Sequence, residues 1–216
     1  MKSEDKDIII RQATSTRPLI RVADHEGVRA VIKDFSRNGF FFRNVAGRFL
    51  IWREARAYRK LTGLEGVPRL LAVGRGPSLV VEAVTGIDLK VAAKQKKLPP
   101  GIFDVLTGLV DGIHERGVAH CDLKASGNVL VRPDGGPVII DWGASISRTE
   151  FRFFPLNMIY NRFVLDDYRA ITKFKLRYMP ETVGEEEKSR YVHRSPAERT
   201  IRAVRDTLRK WLQSIV

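Results

Sequence analysis

Runs of aliphatic and β-branched residues at 7–11, 19–23 and 28–33 alternate with turn-forming stretches, and a further run covers 78–86. Such spacing predicts short strands forming an antiparallel sheet. Residues 52–61 instead show helical character. Farther on, 129–131 and 138–140 flank the turn Pro133-Asp134-Gly135-Gly136, which predicts a two-stranded hairpin. Phe153, Leu156, Met158, Ile159, Phe163 and Val164 read as core of the second half. Asp166 and Asp167 would open a helix running to Leu176, where the helix dipole favours an acidic residue, as caps or as braces of a neighbouring loop. Residues 183–188 read as a solvated loop and helix start. Ile201, Val204, Leu208, Trp211, Leu212 and Ile215 recur at helical spacing, with Arg202, Arg205, Arg209 and Lys210 on other faces. The pattern predicts an α+β chain: an antiparallel sheet with one main helix, followed by a mostly helical part.

Composition narrows the class. The chain has 216 residues, 44% of them hydrophobic, enough to bury a sizeable core. One cysteine excludes an intrachain disulfide. No apolar run approaches the roughly 18 residues that span a bilayer, and the first residues lack an apolar signal region, so a cytoplasmic protein is expected. His25, His114 and His193 lack ligand spacing, which argues against zinc. The net charge of +13 points to an anionic partner. Basic residues are spread along the chain, so no specific nucleic acid is expected. Phe40, Phe41, Phe42, Phe49 and Trp52 interleave with Arg43, Arg48 and Arg53, a mixture suited either to the sheet-side core or to peripheral contact with an anionic membrane. The basic C-terminal helix would be a weaker contributor.

The chemistry concentrates at His120-Cys121-Asp122-Leu123-Lys124-Ala125-Ser126-Gly127-Asn128 and Asp141-Trp142-Gly143. Two carboxylates, an amide and a lysine gather around one hairpin, as phosphoryl transfer requires: it needs cations to neutralise charge and a carboxylate to position the attacking hydroxyl. Upstream, 28–33 ends in Lys33, and Glu54 follows on the helical segment. Either feature alone would be commonplace; their order is the signal. In that order the chain resembles the protein-kinase-like superfamily. The resemblance implies a two-lobed fold, a single kinase-like domain over 1–216 with an N-lobe at about 7–84 and a C-lobe at about 88–216.

It also implies roles. Asp122 would be the base, Lys124 would contact the γ-phosphate, Asp141 and Asn128 would hold magnesium, and His120 would organise the loop. Lys33 would pair the ATP phosphates, aimed by Glu54. Main-chain groups of Glu82 and Val84 would bind the adenine edge with Val81 as gatekeeper, Val31 and Leu130 would sandwich the base, and Asp88 could reach the ribose. The asparagine follows Asp122 by six residues where the superfamily has five; Gly127 could absorb the difference as a bulge, with Ser126 the substitute ligand. No glycine-rich loop precedes Lys33, and residues 12–18 would cover the phosphates. Cys121 stands where an arginine is usual, and no long activation segment follows Gly143. These departures resemble small atypical bacterial branches, RIO-type kinases and lipopolysaccharide-core (Kdo/heptose) kinases. They imply ATP and Mg as cofactors and, as leading acceptor, a lipopolysaccharide inner-core sugar. A RIO-like serine/threonine kinase and a nucleotide-binding pseudokinase are the alternatives.

Overall fold

The computed structural model describes residues 7–192. Strands β1 (Ile8–Arg11), β2 (Leu19–His25), β3 (Val28–Asp34), β4 (Leu70–Val73) and β5 (Ser78–Glu82) form an antiparallel sheet in the order β1-β2-β3-β5-β4. The β2–β3 hairpin closes through Glu26 and Gly27, both at positive φ, with the Gly27 amide donating to Asp24 Oδ1 at 3.0 Å. Against this sheet packs helix α1 (Gly47–Lys60), which buries Ile51, Glu54, Ala55 and Tyr58 along one stripe. Fully burying side chains such as Ile51 is worth roughly 1.5–3 kcal/mol each. A π-helical turn at Phe42–Ala46 leads into α1. Gly47 joins the two where space is short: a Cβ there would lie 2.9 Å from Phe35 Cβ and 3.0 Å from the Phe42 carbonyl.

Beyond the sheet, β6 (Ile87–Asp88) leads into α2 (Leu89–Lys94), then α3 (Ile102–Glu115) and β7 (Val118–Ala119). Strands β8 (Val129–Val131) and β9 (Pro137–Ile139) form the expected hairpin, pairing Val129 with Ile139 and Leu130 with Val138. Then come β10 (Ile146–Ser147), paired with β7, and helices α4 (Leu156–Tyr178) and α5 (Glu185–Val192). One continuous core runs from Phe35, Ile51, Tyr58 and Leu79 to Leu106, Ile113, Leu123, Ile139, Trp142 and Phe174. The architecture is α+β, as the pattern implied, and two-lobed, as the resemblance implied. Among the described residues no helix is long and apolar enough to cross a membrane.

Several expectations need correction. Asp166 and Asp167 do not open a helix; they lie midway along α4, whose 23 residues begin at Leu156. Phe153, Leu156 and Met158 are exposed rather than core, while Phe163 and Val164 are half-buried against Ala119, Ile146 and Tyr160. The reason is rotational: the buried face of α4 is set by Tyr160, Asp167, Ala170, Ile171 and Phe174, and the first turn lies largely off it. The apolar-basic segment expected at 201–215 lies outside the described residues.

Candidate active site

Lys33 and Val31 share one face of β3, because alternate residues of a strand point the same way. Glu54 faces them from the buried stripe of α1. The Lys33 ammonium lies 2.8 and 2.7 Å from the two Glu54 oxygens and 3.0 Å from Asp141 Oδ1. One partly buried cation thus bridges two carboxylates from elements 21 and 108 residues away. Burial alone would depress the Lys33 pKa, but Glu54 and Asp141 hold it above the usual lysine value. Burial pushes the Glu54 carboxyl up against the pull of Lys33. Burial also works to raise Asp141, yet Lys33 overrides it and holds that carboxyl below the usual range. Asp141 therefore stays ionised with its side chain half-exposed, able to take a second cation.

The loop bearing Asp122 is held from beneath. Asp167, 2% exposed, accepts the His120 amide at 2.8 Å, the Cys121 amide at 3.1 Å and the His114 Nε2 hydrogen at 3.0 Å. Cys121 has φ 67°, and Asp141 φ 64°, so both carboxylate-bearing turns contain a left-handed non-glycine residue. Of the two readings of Asp167, cap or brace, the contacts select the brace. His120 donates from Nε2 to the Ile140 carbonyl at 3.0 Å and accepts the Asp122 amide on Nδ1 at 3.3 Å, an arrangement that selects the Nε2–H tautomer. Its ring stands edge-on to the fully buried Trp142, centroids 4.7 Å apart. The Asp122 amide and the carbonyl just before Asp141 are therefore tied through one imidazole.

The extra residue before Asn128 is not taken up by a glycine bulge. Ser126–Asn128 instead forms a 3-10 turn, with the Asn128 amide donating to the Ala125 carbonyl at 2.9 Å and the Ala125 amide to the Asp122 carbonyl at 3.2 Å. The tighter turn places Asn128 directly ahead of β8. Its Nδ2 donates to the Asp122 carbonyl at 3.0 Å, which orients the amide, and the Ile140 amide donates to the Asn128 carbonyl at 2.9 Å across the hairpin. Asn128 and Asp141 thus flank the same end of β8 and β9. Among the described residues no cluster of three or more His, Cys, Asp or Glu forms a protein-only metal cage. An all-oxygen pair of one carboxylate and one amide instead fits a hard ion such as magnesium, which is held by few protein ligands together with phosphates.

The remaining expected positions are arranged around this centre. Val31 lies opposite Val81 across the β3–β5 pairing, and Leu130 opposite Asp88 across β6–β8. The Glu82 amide is engaged with the Arg69 carbonyl at 2.9 Å and its side chain with Arg69 Nε at 3.0 Å, leaving only its carbonyl for an adenine edge. Asp88 Oδ1 caps α2 through the Lys90 amide at 2.6 Å and the Val91 amide at 3.3 Å. The Lys124 carbonyl lies 3.5 Å from Lys173 Nζ.

Two features escaped the sequence. Asn38 is buried, and its Nδ2 reaches the carbonyls of Thr14, Ser15 and Arg17 at 2.7, 3.2 and 3.1 Å, fixing the turn ahead of β2. The chain after Gly143 clamps α1: Arg53 Nε donates to the Ser145 carbonyl at 2.8 Å, Arg56 pairs with Glu150 and donates to Thr149, and Lys60 bonds Ser147. Glu54 is thereby presented to Lys33 from an anchored helix. On the outer face of α1 and its preceding turn, Phe40, Phe41, Val45, Phe49 and Trp52 are exposed, while Phe42 packs against Phe35 at 5.7 Å. The three phenylalanines divide, two outward and one inward.

No protein-family model matches the chain. Over 45 residues it is 51% identical to the serine/threonine-protein kinase PknD of Chlamydia trachomatis serovar D, a stretch of 21% of this chain and 5% of that protein. The PknD of Chlamydia muridarum is 49% identical over 45 residues. The match thus spans about a twentieth of the length of these curated relatives. Among solved structures, the Rio2 kinase of Chaetomium thermophilum in an ADP/Mg2+-phosphoaspartate complex superposes with TM-score 0.58 at 19% identity, covering 93% of this chain and 66% of that one. A second structure of that kinase gives TM-score 0.59, also at 19% identity, covering 90% and 65%. The likeness shows a protein-kinase-like fold with RIO2 kinases among its structural neighbours.

Proposed function

We propose that this chain, protein-kinase-like in fold, is an ATP- and magnesium-dependent phosphotransferase that moves the γ-phosphoryl group to a hydroxyl. The observation that carries the reading is the Lys33–Glu54–Asp141 cluster, 2.7 to 3.0 Å between charged atoms, on the sheet side of a loop whose Asp122 is positioned by His120, Asn128 and Asp167. Lys33, held cationic, binds ATP phosphate oxygens; Glu54 aims it. Asp141 and the Asn128 amide oxygen would hold magnesium, which supplies charge neutralisation on the phosphates when bound. Asp122 orients the acceptor hydroxyl and receives its proton as the new O–P bond forms and the bridging bond to ADP breaks. Lys124 faces the charge that develops on the moving group. The Glu82 carbonyl, the Val84 main chain, Val31 and Leu130 form the adenine site; Asp88, through its second oxygen, serves the ribose.

The leading acceptor is a lipopolysaccharide inner-core sugar, presented at an anionic membrane. Exposed Phe40, Phe41, Phe49 and Trp52 beside Arg43 and Arg48 support the surface contact, and the excess of positive charge supports an anionic acceptor. A serine or threonine of a protein is the second reading, favoured by the 45-residue likeness to PknD and by the Rio2 neighbours. Incubation of the chain with γ-labelled ATP, purified core lipopolysaccharide and a protein extract separates them. Label in the glycolipid supports the first and label in protein the second; label in neither would remove the phosphotransferase reading.

A further inference from the structure

Strand β1 buries neither face. Ile8, Ile9 and Ile10 are 56%, 49% and 59% exposed, three consecutive large apolar side chains on the outermost strand of the order β1-β2-β3-β5-β4. On one side β1 pairs with β2, Ile8 opposite Val22 and Ile9 opposite Arg21; on the other, its main chain meets no strand among the described residues. Such an edge is a template for a further strand. It is short and carries a register shift between Ile9 and Arg11, yet no charge or proline interrupts 8–10 to guard it. The preceding stretch is poorly suited to cover it, since Met1 is the only apolar residue in 1–6.

The residues themselves say what fits. Positions 7–11 read Asp-Ile-Ile-Ile-Arg, an acid at one end, a base at the other and apolar side chains between. Laid antiparallel against a second copy about Ile9, the segment sets Asp7 opposite Arg11, Ile8 opposite Ile10 and Ile9 opposite Ile9. Every charge then meets its opposite, and every isoleucine meets an isoleucine, at cross-strand Cβ separations of about 4.5–5.5 Å. An in-register parallel pairing would oppose Asp7 to Asp7 and Arg11 to Arg11, and an antiparallel shift by one residue would set a charge against an isoleucine. Both end groups keep capacity for the contact. Within its own chain Asp7 pairs with Arg21 through Oδ2, which leaves Oδ1, and Arg11 uses Nε on the Pro18 carbonyl at 3.4 Å, which leaves the two terminal nitrogens of its fork. We propose that β1 is a self-complementary dimer edge, through which two copies of this chain join antiparallel about Ile9 and continue their five-stranded sheets into one. The pairing is isologous, so it closes at two copies. A patch of this size supports a weak, concentration-dependent dimer. The proposal is independent of the phosphotransferase reading.

Sedimentation equilibrium of the full chain, carried into the millimolar range at physiological ionic strength, is expected to show a monomer–dimer equilibrium. Asp7→Arg alone and Arg11→Asp alone each oppose like charges at both ends of the paired edge and should weaken association about tenfold. Asp7→Arg combined with Arg11→Asp restores opposite charges and should recover most of the parental association. Circular dichroism should be unchanged in all three, since both positions are exposed. Oxidative cross-linking reads the register separately, with the parent chain and its lone Cys121 as control. Ile9→Cys sets two thiols at the two-fold axis, within the Cα span of about 4.4–6.8 Å that a disulfide accepts, and should give a covalent dimer. Ile8→Cys lies diagonally from its copy, roughly 7–8 Å away, and should give little. A chain that stays monomeric into the millimolar range, as it would if another part of the chain covered the edge, would overturn the proposal. So would a dimer indifferent to the single charge variants, a double variant without rescue, or an Ile8→Cys chain that cross-links as readily as Ile9→Cys.

Discussion

Replacing Asp167 by alanine tests how the loop that carries Asp122 is built. The carboxylate is 2% exposed and satisfies two buried main-chain amides and one imidazole nitrogen, at 2.8, 3.1 and 3.0 Å. Each hydrogen bond to a charged partner contributes about 1.5–3 kcal/mol, and each buried donor left without a partner costs about 1–3 kcal/mol. Because the three share one side chain, the terms do not add. A loss of about 3–5 kcal/mol is therefore expected, comparable to breaking a buried ion pair. The carboxylate also holds Cys121 at φ 67°, a conformation disfavoured by roughly 1–2 kcal/mol for a side-chain-bearing residue, so the loop should relax when it is removed. Urea unfolding should report the destabilisation, hydrogen exchange should accelerate at the His120 and Cys121 amides, and turnover should fall while Mg-ATP affinity changes little. An Asp167→Ala chain within 1 kcal/mol of the parent in urea, with protected amides at 120 and 121, would refute the brace.

Further consequences can be checked separately. Lys33→Met leaves Glu54 buried without its cation, so burial, no longer opposed by Lys33, raises its folded pKa further above the unfolded carboxylate value of about 4.3. Stability of that variant should be fullest below this value and fall as pH rises through the folded pKa, a slope that thermal melts at pH 5 and pH 8 would reveal and that a flat profile would contradict. Asn128→Ala should lower turnover and raise the magnesium concentration needed far more than Ser126→Ala, and the reverse ranking would move the ligand role to Ser126. Gly47→Ala should destabilise by about 1–3 kcal/mol, because the new methyl group meets Phe35 and the Phe42 carbonyl at 2.9 and 3.0 Å; an unchanged urea midpoint would show that the junction yields. Phe40→Ser with Phe41→Ser should keep the fold and reduce co-sedimentation with liposomes rich in anionic lipid, whereas Phe42→Ser should lose stability through its contact with Phe35.

What the chain revealed in advance follows from distance along it. Asp122, Asn128 and Asp141 are gathered by one hairpin, so their grouping was readable from a turn and two apolar runs. Lys33 and Glu54 ride on a strand and a helix with clear periodicity. Asp167 was harder, because its partners at 120 and 121 lie 47 and 46 residues away and nothing local distinguishes a brace from a cap. Asn38 was missed for the same reason: its bonds to the turn at 14–17 depend on how β2 and β3 stack. The helical start of 40–47 was hidden by its composition, since aromatic residues are weak helix formers and the π turn depends on the packing of Gly47 against Phe35. Leu156 and Met158 misled because hydrophobicity alone does not say which side of a helix faces the core, and Phe153 lies in an exposed bend ahead of that helix.

The central claim is tested most directly by measuring both Mg-ATP affinity and γ-phosphate release or transfer for the parent chain, Asp122→Asn and Asp141→Asn. The account predicts that the parent turns ATP over, that Asp122→Asn binds Mg-ATP nearly as tightly but reacts about 10²–10⁴-fold more slowly, and that Asp141→Asn loses affinity as well. A parent that never consumes ATP, or an Asp122→Asn chain that reacts at the parental rate, would contradict it.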